Sequence, residues 1–468
     1  MKRFLWVGWM AFLFLCCAGC GDTFRPIIIP NLPTFPDPRA AHTVVAINNN
    51  GPTNPNQPFG PGSVLVVDVS GDSEVGIANV GVAPVHAVQQ SASQVLVLNQ
   101  ATTSTSTASL SKFLFFGTVI NGAPGTISLP PNSAPTFVAV APLDTTAYVT
   151  LPKYAPDPTQ PQNIVPSVGV VNTQSNSLEA TIPVQNNPFA LAVTPDKSKL
   201  YVACDPLSPG LCSMSAFNTV DRSPRTINGT LSSSPIWFST RSDSQRVYVL
   251  EAGGKLAWLD TTSTAGPDTL TESTISVPGA STMVYDAFLN RLYIPGGSEV
   301  AVVDVAQSVP QMIGNNGNPI PITTFPRENR GTQDVCHGSP TNTPPAATVV
   351  AVAALPDGSR AYVGAYYEDA VGNICPQVAV INTSNNTVKT VTAVPGFPNY
   401  DALCASTRFR FTMVAGGDSS RAYLASCDGG GVNVIDTSTD SFLVNLPAPF
   451  GARQNNPPQN PVFLIAGP

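Results

Sequence analysis

The sequence predicts an all-β chain, a β-propeller of four-stranded antiparallel blades, and three observations lead there. First, 47 Pro and 36 Gly punctuate the chain every few residues. That spacing stops long helices and favours short strands joined by turns. Second, a Tyr-centred strand recurs at Tyr148, Tyr201, Tyr248, Tyr293, Tyr362 and Tyr423, with spacings of 53, 47, 45, 69 and 61 residues. Third, apolar residues make up 43% of the chain and charged residues only 11%. Strands of nearly continuous Val, Leu, Ile and Ala then bury both faces, which a lone sheet cannot do but stacked sheets can.

The chain opens on Lys2 and Arg3, an apolar run from Phe4 to Leu15, and then Cys17-Ala18-Gly19-Cys20. Small residues ahead of a cysteine resemble the cleavage box of bacterial lipoprotein signal peptides, with Cys17 where Leu is usual. The apolar run is shorter than the ~20 residues that span a membrane. Residues 1–19 read as a signal peptide, with Cys20 as the lipidated residue; the other readings are an ordinary secretory signal cut near Ala18 or Gly19 and an uncleaved anchor, for which the run is short. Gly21 after Cys20, where Asp is absent, resembles the signal that sorts lipoproteins to the outer membrane. Residues 20–40 carry Pro26, Pro30, Pro33, Pro36 and Pro38 and read as an extended tether. Residues 41–468 read as one propeller domain.

The Tyr strand is the second of four, a to d. Two earlier strands hold its phase without the Tyr, at 44–46 and 95–97, which makes eight blades. Strand c follows at 64–69, 113–119, 168–173, 213–219, 256–261, 300–305, 378–383 and 432–437, usually ending in Asp or Asn. A more polar strand d comes next, as at 178–184, 273–277, 387–394 and 441–446. The first blade has no strand a of its own. Residues 461–466, Pro-Val-Phe-Leu-Ile-Ala, match the strand-a pattern of 188–193 and are expected to complete that blade. The ring would then have no open sheet edge.

The pattern Ile-Pro-Val, Pro-Phe-Ala-Leu-Ala-Val-Thr-Pro-Asp and Leu-Tyr-Val-Ala, best seen over 166–204 and 345–396, resembles the YVTN-type repeat of bacterial and archaeal surface propellers. That family is often seven-bladed, against eight here. The resemblance implies an extracytoplasmic binding or scaffold protein. It also reaches toward lactonase-type propellers, whose catalytic set has no residue-by-residue match in this chain.

Net charge is −7 with no basic cluster after the N-terminus, so no nucleic-acid partner is expected. The Asx residues ending strand c (Asp68, Asn172, Asn218, Asp260, Asp304, Asn382, Asp436), and Asp196, Asp243, Asp357 and Asp418 in the a–b turns, are read as turn formers that accept from backbone amides two residues on. The sharper reading is a metal-binding ring. His42 and His86 sit in strands and read as packed. No Walker loop, HExxH or GxSxG is present.

Cys204, Cys212, Cys336, Cys375, Cys404 and Cys427 all map to the rim where the b–c and d–a loops emerge. The strand map suggests pairs 204–212, 336–375 and 404–427 in an oxidising compartment. Metal ligation is the other use of such residues, but the mature chain has no CxxC. Long loops crowd the same rim, so binding residues are sought at Tyr154, Asp157, Asp205, Arg327, Arg330, Tyr366, Tyr367, Glu368 and Asp369.

The sequence thus favours a lipid-anchored envelope protein, in or on the outer membrane, that binds an envelope protein, glycan or other surface component through this rim. No catalytic residue, cofactor or metal is assigned, although a structural or channel cation is left open. The competing readings are a hydrolase or lactonase with a channel-bound cation and a purely structural envelope protein.

Overall fold

The computed structural model describes residues 43–51, 59–91, 93–101, 107–116, 119–205, 214–324, 335–336, 346–369, 371–397, 404, 407–450 and 459–466. They form eight antiparallel blades around a central channel. Strands are given in the order a to d, from the axis outward.

Blade 1 is Asn460–Ala466, Thr43–Asn49, Pro61–Asp68 and Ser73–Val82. Blade 2 is Pro84–Ser91, Gln94–Asn99 and Ser109–Phe116, with its fourth strand split into Val119–Ile120 and Gly125–Ser128. Blade 3 is Val138–Val140, Thr146–Leu151, Ser167–Asn172 and Ser177–Pro183. Blade 4 is Pro188–Val193, Lys199–Cys204, Ser215–Asn218 and Pro224–Arg225. Blade 5 is Pro235–Thr240, Arg246–Glu251, Lys255–Asp260 and Asp268–Ser276, with Ile227–Asn228 added in parallel at its edge. Blade 6 is Val284–Asp286, Arg291–Gly296 and Glu299–Asp304, edged by Gln311–Met312 and Ile320–Pro321. Blade 7 is Thr348–Ala354, Arg360–Glu368, Ile374–Asn382 and Thr387–Ala393. Blade 8 is Phe411–Ala415, Arg421–Ser426, Gly431–Asp436 and Ser441–Pro447.

The C-terminal strand closes the ring as the sequence suggests. Val44 pairs with Ala466, Val45 with Ile465, Ala46 with Leu464 and Ile47 with Phe463, antiparallel. Strand b is buried on both faces because a blade stands on either side, and Tyr201, Tyr248, Tyr293, Tyr362 and Tyr423 are fully buried. Strand d of blade 8 alternates between exposed and half-buried along its length, as an outer strand with one wet face must.

In blade 2, strand c begins at Ser109, before the apolar run, because Ser109 and Ser111 pair across to Asn99 and Val97. The 113–119 placement is corrected accordingly. In blade 7, Tyr366, Tyr367 and Glu368 are not in a loop. They extend strand b opposite Pro376, Cys375 and Ile374, giving a long hairpin that projects from the rim.

The turns behave largely as expected. Backbone amides of Ser70, Gln174, Ala306, Ser384 and Ser438 donate to Asp68, Asn172, Asp304, Asn382 and Asp436. Those of Ser198, Gln245, Ser359 and Ser420 donate to Asp196, Asp243, Asp357 and Asp418. Asn218 and Asp260 depart from the pattern. Their oxygens accept instead from Arg225 and Arg246, since a guanidinium offers a carboxylate or amide oxygen a stronger, charge-assisted bond.

Neighbouring blades are latched by a basic residue two positions before the buried Tyr. Lys199 Nζ donates to Thr261 O of blade 5 at 2.5 Å and to Asp268 at 2.7 Å. Arg246 reaches Gln307 O beyond blade 6 at 3.2 Å, and Arg291 reaches Thr383 O of blade 7 at 2.7 Å. Arg360 reaches Thr437 O and Asp440 of blade 8. Arg421 pairs with Asp72 of blade 1 at 2.7 Å through two nitrogens. Five of the chain's 22 Lys and Arg residues thereby tie five of the eight blades each to the next.

Candidate functional site

The a–b and c–d turns make one face of the ring, tight and regular. The b–c and d–a connections make the other, and both described disulfides lie there. Cys336 bonds Cys375 and Cys404 bonds Cys427, with Cα separations of 5.8 and 5.6 Å. These are the pairings expected from the strand map. Cys204 is also disulfide-bonded, while Cys212 lies outside the described residues.

Between those two disulfides the blade 7 hairpin meets the chain entering blade 8. Tyr366 stacks on Phe411 at 5.0 Å, with the Arg410 guanidinium 5.4 Å from the Tyr366 ring. Arg410 Nε also donates to Asp428 at 2.7 Å, an ion pair with Asp428 fully covered. Tyr367 is buried beside Cys336 and Cys375. Asp369 folds the hairpin tip by accepting from the amides of Val371 and Asn373. Glu368 and Val371 at that tip face solvent.

The other expected binding residues do not converge on this corner. Tyr154 packs half-buried against the core shared by blades 2 and 3. It lines a Pro-rich surface cavity of about 360 Å³. Asp157 is exposed and accepts from Thr159 in a local turn, bonds that hold its carboxyl below the usual range. Arg327 and Arg330 lie outside the described residues, as do the signal segment, Cys20 and the Pro-rich tether.

Sequence reasoning passed over the segment just before the last inner strand, Arg408-Phe409-Arg410-Phe411. Its second half builds the rim corner and its first half fills the channel. Phe409 joins His86, Phe137, Trp237 and Phe463 in a closed circuit of rings. Their centroids are 4.0 Å apart for His86–Phe137, 5.6 Å for Phe137–Trp237, 5.7 Å for Trp237–Phe409, 4.9 Å for Phe409–Phe463 and 4.5 Å for Phe463–His86. Arg408 lies over Phe189 at 3.8 Å and within 5.4 Å of Phe137, Trp237 and Phe409. Its two terminal nitrogens donate to Phe189 O at 2.9 Å and Ile236 O at 3.1 Å. Burial pulls its guanidinium down to about 9, the negative charge of Asp205 acting in the opposite direction, so it remains a cation at neutral pH. A cation–aromatic alternation in so charge-poor a chain was the signal available in the sequence.

This ring layer floors a well of about 540 Å³ that opens toward the turn face and is walled by the inner strands of all eight blades. Its walls are Ala, Val, Leu and Ile side chains, with Gln89 and Thr240 as minor polar members. No carboxylate or cysteine lines it among the described residues, and no cluster of three or more His, Cys, Asp or Glu there could hold a metal ion. Among the described residues a cation in the well would find His86 and the side-chain oxygens of Gln89 and Thr240, which do not make up the oxygen-rich or multi-histidine sets that metals need. Among the described residues, no carboxylate lines the well to serve as base or acid for hydrolysis.

His86 is buried, and burial first, then the Arg408 charge, lowers its pKa from 6.5 to about 3. A histidine held neutral in the fold but free to protonate when unfolded stabilises the fold above its unfolded-state value. That contribution disappears progressively as pH falls from about 6.5 toward 3. Urea midpoints should therefore drop between pH 7 and pH 5, by at most ~1.4 kcal/mol per pH unit from this group. A His86→Phe variant should lose that component. An unchanged acid slope in the variant would show that His86 is not held neutral.

No family model matches the chain, and no curated protein matches it. Solved structures do. Apo AztD from Citrobacter koseri aligns with a TM-score of 0.52 and 10% identity, over 90% of this chain and 98% of that one. A second AztD structure from the same organism gives 0.53 and 11%, over 91% and 98%. Dihydro-heme d1 dehydrogenase NirN in complex with DHE gives 0.55 and 11%, over 95% of this chain and 79% of that one. At such identities the likeness is one of fold.

Proposed function

We propose that the chain is an extracytoplasmic binding module, a propeller of the YVTN-repeat kind held at a membrane by a lipid on Cys20, which engages an envelope protein or glycan through its loop-bearing rim. One observation carries the reading. The two described disulfides brace the same rim, and between them stands a hairpin with its aromatic and ionic base buried and its tip, Glu368 and Val371, offered to solvent. Function collects on irregular connections held by a rigid scaffold, and such disulfides belong to an oxidising compartment. Among the described residues the opposite face is built mostly of short Asx turns and carries no disulfide.

Site-specific photo-crosslinking in intact cells tests this. A photoreactive residue at Val371 should give a discrete adduct, whereas one at Val220, which is 92% exposed on the turn face, should give none. Protease or glycosidase sensitivity of the adduct distinguishes protein from glycan. Equal labelling from both positions, or none from Val371, would end the rim assignment.

A further inference from the structure

The well above the aromatic floor has a property that the rim reading does not use. Nδ1 of His86 is fully buried and has no hydrogen-bond partner among the described residues. Leaving a buried polar group unpaired costs ~1–3 kcal/mol, and native interiors rarely tolerate it. The Arg408 guanidinium stands just beyond the same ring layer. Among the described residues no carboxylate lies within ion-pair distance of it, and its two recorded bonds go to backbone carbonyls. The bottom of the well therefore combines an imidazole that can donate with the charge of the half-buried Arg408 guanidinium behind the ring layer, whose field is strengthened where water is partly excluded. Above that spot the walls are mainly aliphatic, with Gln89 and Thr240 as the polar members.

We propose that this well binds an amphipathic small-molecule carboxylate, with its apolar tail against the inner strands and its carboxylate at the floor. His86 would donate one hydrogen bond to the carboxylate, and the Arg408 charge would favour the anion over a neutral head group. The volume of about 540 Å³ falls within the range of small-molecule sites, which are mostly apolar with few polar contacts.

Calorimetric titration of the full chain with decanoate and, separately, decanol tests the proposal. Decanoate should bind saturably at one site per chain, and decanol about tenfold or more weakly. The Trp237 indole, in the floor, should change its fluorescence over the same titration. His86→Phe keeps an aromatic ring in the circuit and should weaken decanoate about tenfold while leaving decanol nearly unchanged. Ala192→Trp, which fills the well from the blade 4 wall, should abolish both. Should His86→Phe fail to fold, Arg408→Gln supplies the second comparison and should erase the preference for decanoate over decanol. A flat decanoate titration would overturn the proposal, as expected if His86 merely holds an ordered water. Equal affinity for decanol, or binding that survives Ala192→Trp, would overturn it as well. None of these readings depends on a rim partner, so the two proposals stand or fall separately.

Discussion

Truncating the chain after Gln459 should abolish cooperative folding. The seven residues Asn460–Ala466 form the inner strand of a blade whose other strands are about four hundred residues away, so the loss is a break in the ring as much as a loss of contacts. Val462 and Leu464 are 3% exposed, while Phe463 and Ile465 are half-buried. At ~1.5–3 kcal/mol for each fully buried aliphatic or aromatic side chain, their removal forfeits on the order of 5–8 kcal/mol. It also bares the edge of Thr43–Asn49. That sum matches the whole stability of many domains. Asn460 Nδ2 additionally donates to Cys427 O at 2.9 Å, tying the closing strand to the braced rim. Thermal melting by circular dichroism reads the effect. Leu464→Ala should destabilise by ~2–5 kcal/mol, and Leu443→Ala, on the outer strand of blade 8 and 44% exposed, by no more than ~0.5 kcal/mol. Equal effects from these two substitutions would mean that the closing strand is not in the core.

Asp268→Ala should be the most damaging single substitution at the blade 4–blade 5 interface. Asp268 is fully buried and accepts from four groups of the neighbouring blade: Lys199 Nζ at 2.7 Å, Tyr201 Oη at 2.8 Å, and Arg225 Nε and Nη2 at 3.1 Å each. Both cationic side chains are only 5% exposed. Removing the carboxylate leaves two buried cations without their anion. Breaking a buried pair in this way costs ~3–5 kcal/mol, much more than the net worth of the intact pair. The proximity of Asp268 raises the pKa of Arg225 through their hydrogen bond, and burial followed by the Asp268 charge raises that of Tyr201. Chemical denaturation of the single variant and of Lys199→Met with Asp268→Leu checks the origin of the loss. The double variant should recover part of the stability lost in Asp268→Ala, because the uncompensated charge is reduced. If the double variant is worse than the single one by a full additive increment, the interface is held by packing alone.

Much of this architecture was legible in the sequence. Tyr201 and its repeats announce strand b because a β-branched and aromatic run between turn residues has few other uses. Residues 460–466 could be matched to their distant blade because the first blade lacked an inner strand and the tail supplied an orphan one. What escaped notice was long-range chemistry. The basic residue two places before five of the six repeat tyrosines, Lys199 or Arg360 for example, looks like an ordinary strand edge until the next blade's Asp268 or Asp440 is set opposite it. Tyr366 and Tyr367 looked like loop residues because nothing local shows that the hairpin continues past its usual length. Only the disulfide from Cys375 to Cys336 and the facing register explain why it does. The rim was expected from the cysteines, but the channel floor was not. His86, Phe137, Trp237, Phe409 and Phe463 come from five different blades or their approaches, and no spacing rule joins them.

Ring closure underlies both the rim and the well, and hydrogen exchange read by mass spectrometry tests it most directly. Amides of 462–465 should exchange in step with those of 44–48, since the two segments share one ladder and open only together. Exchange of 462–465 at the rate of an open chain, with 44–48 still protected, would contradict a ring closed by the C-terminal strand.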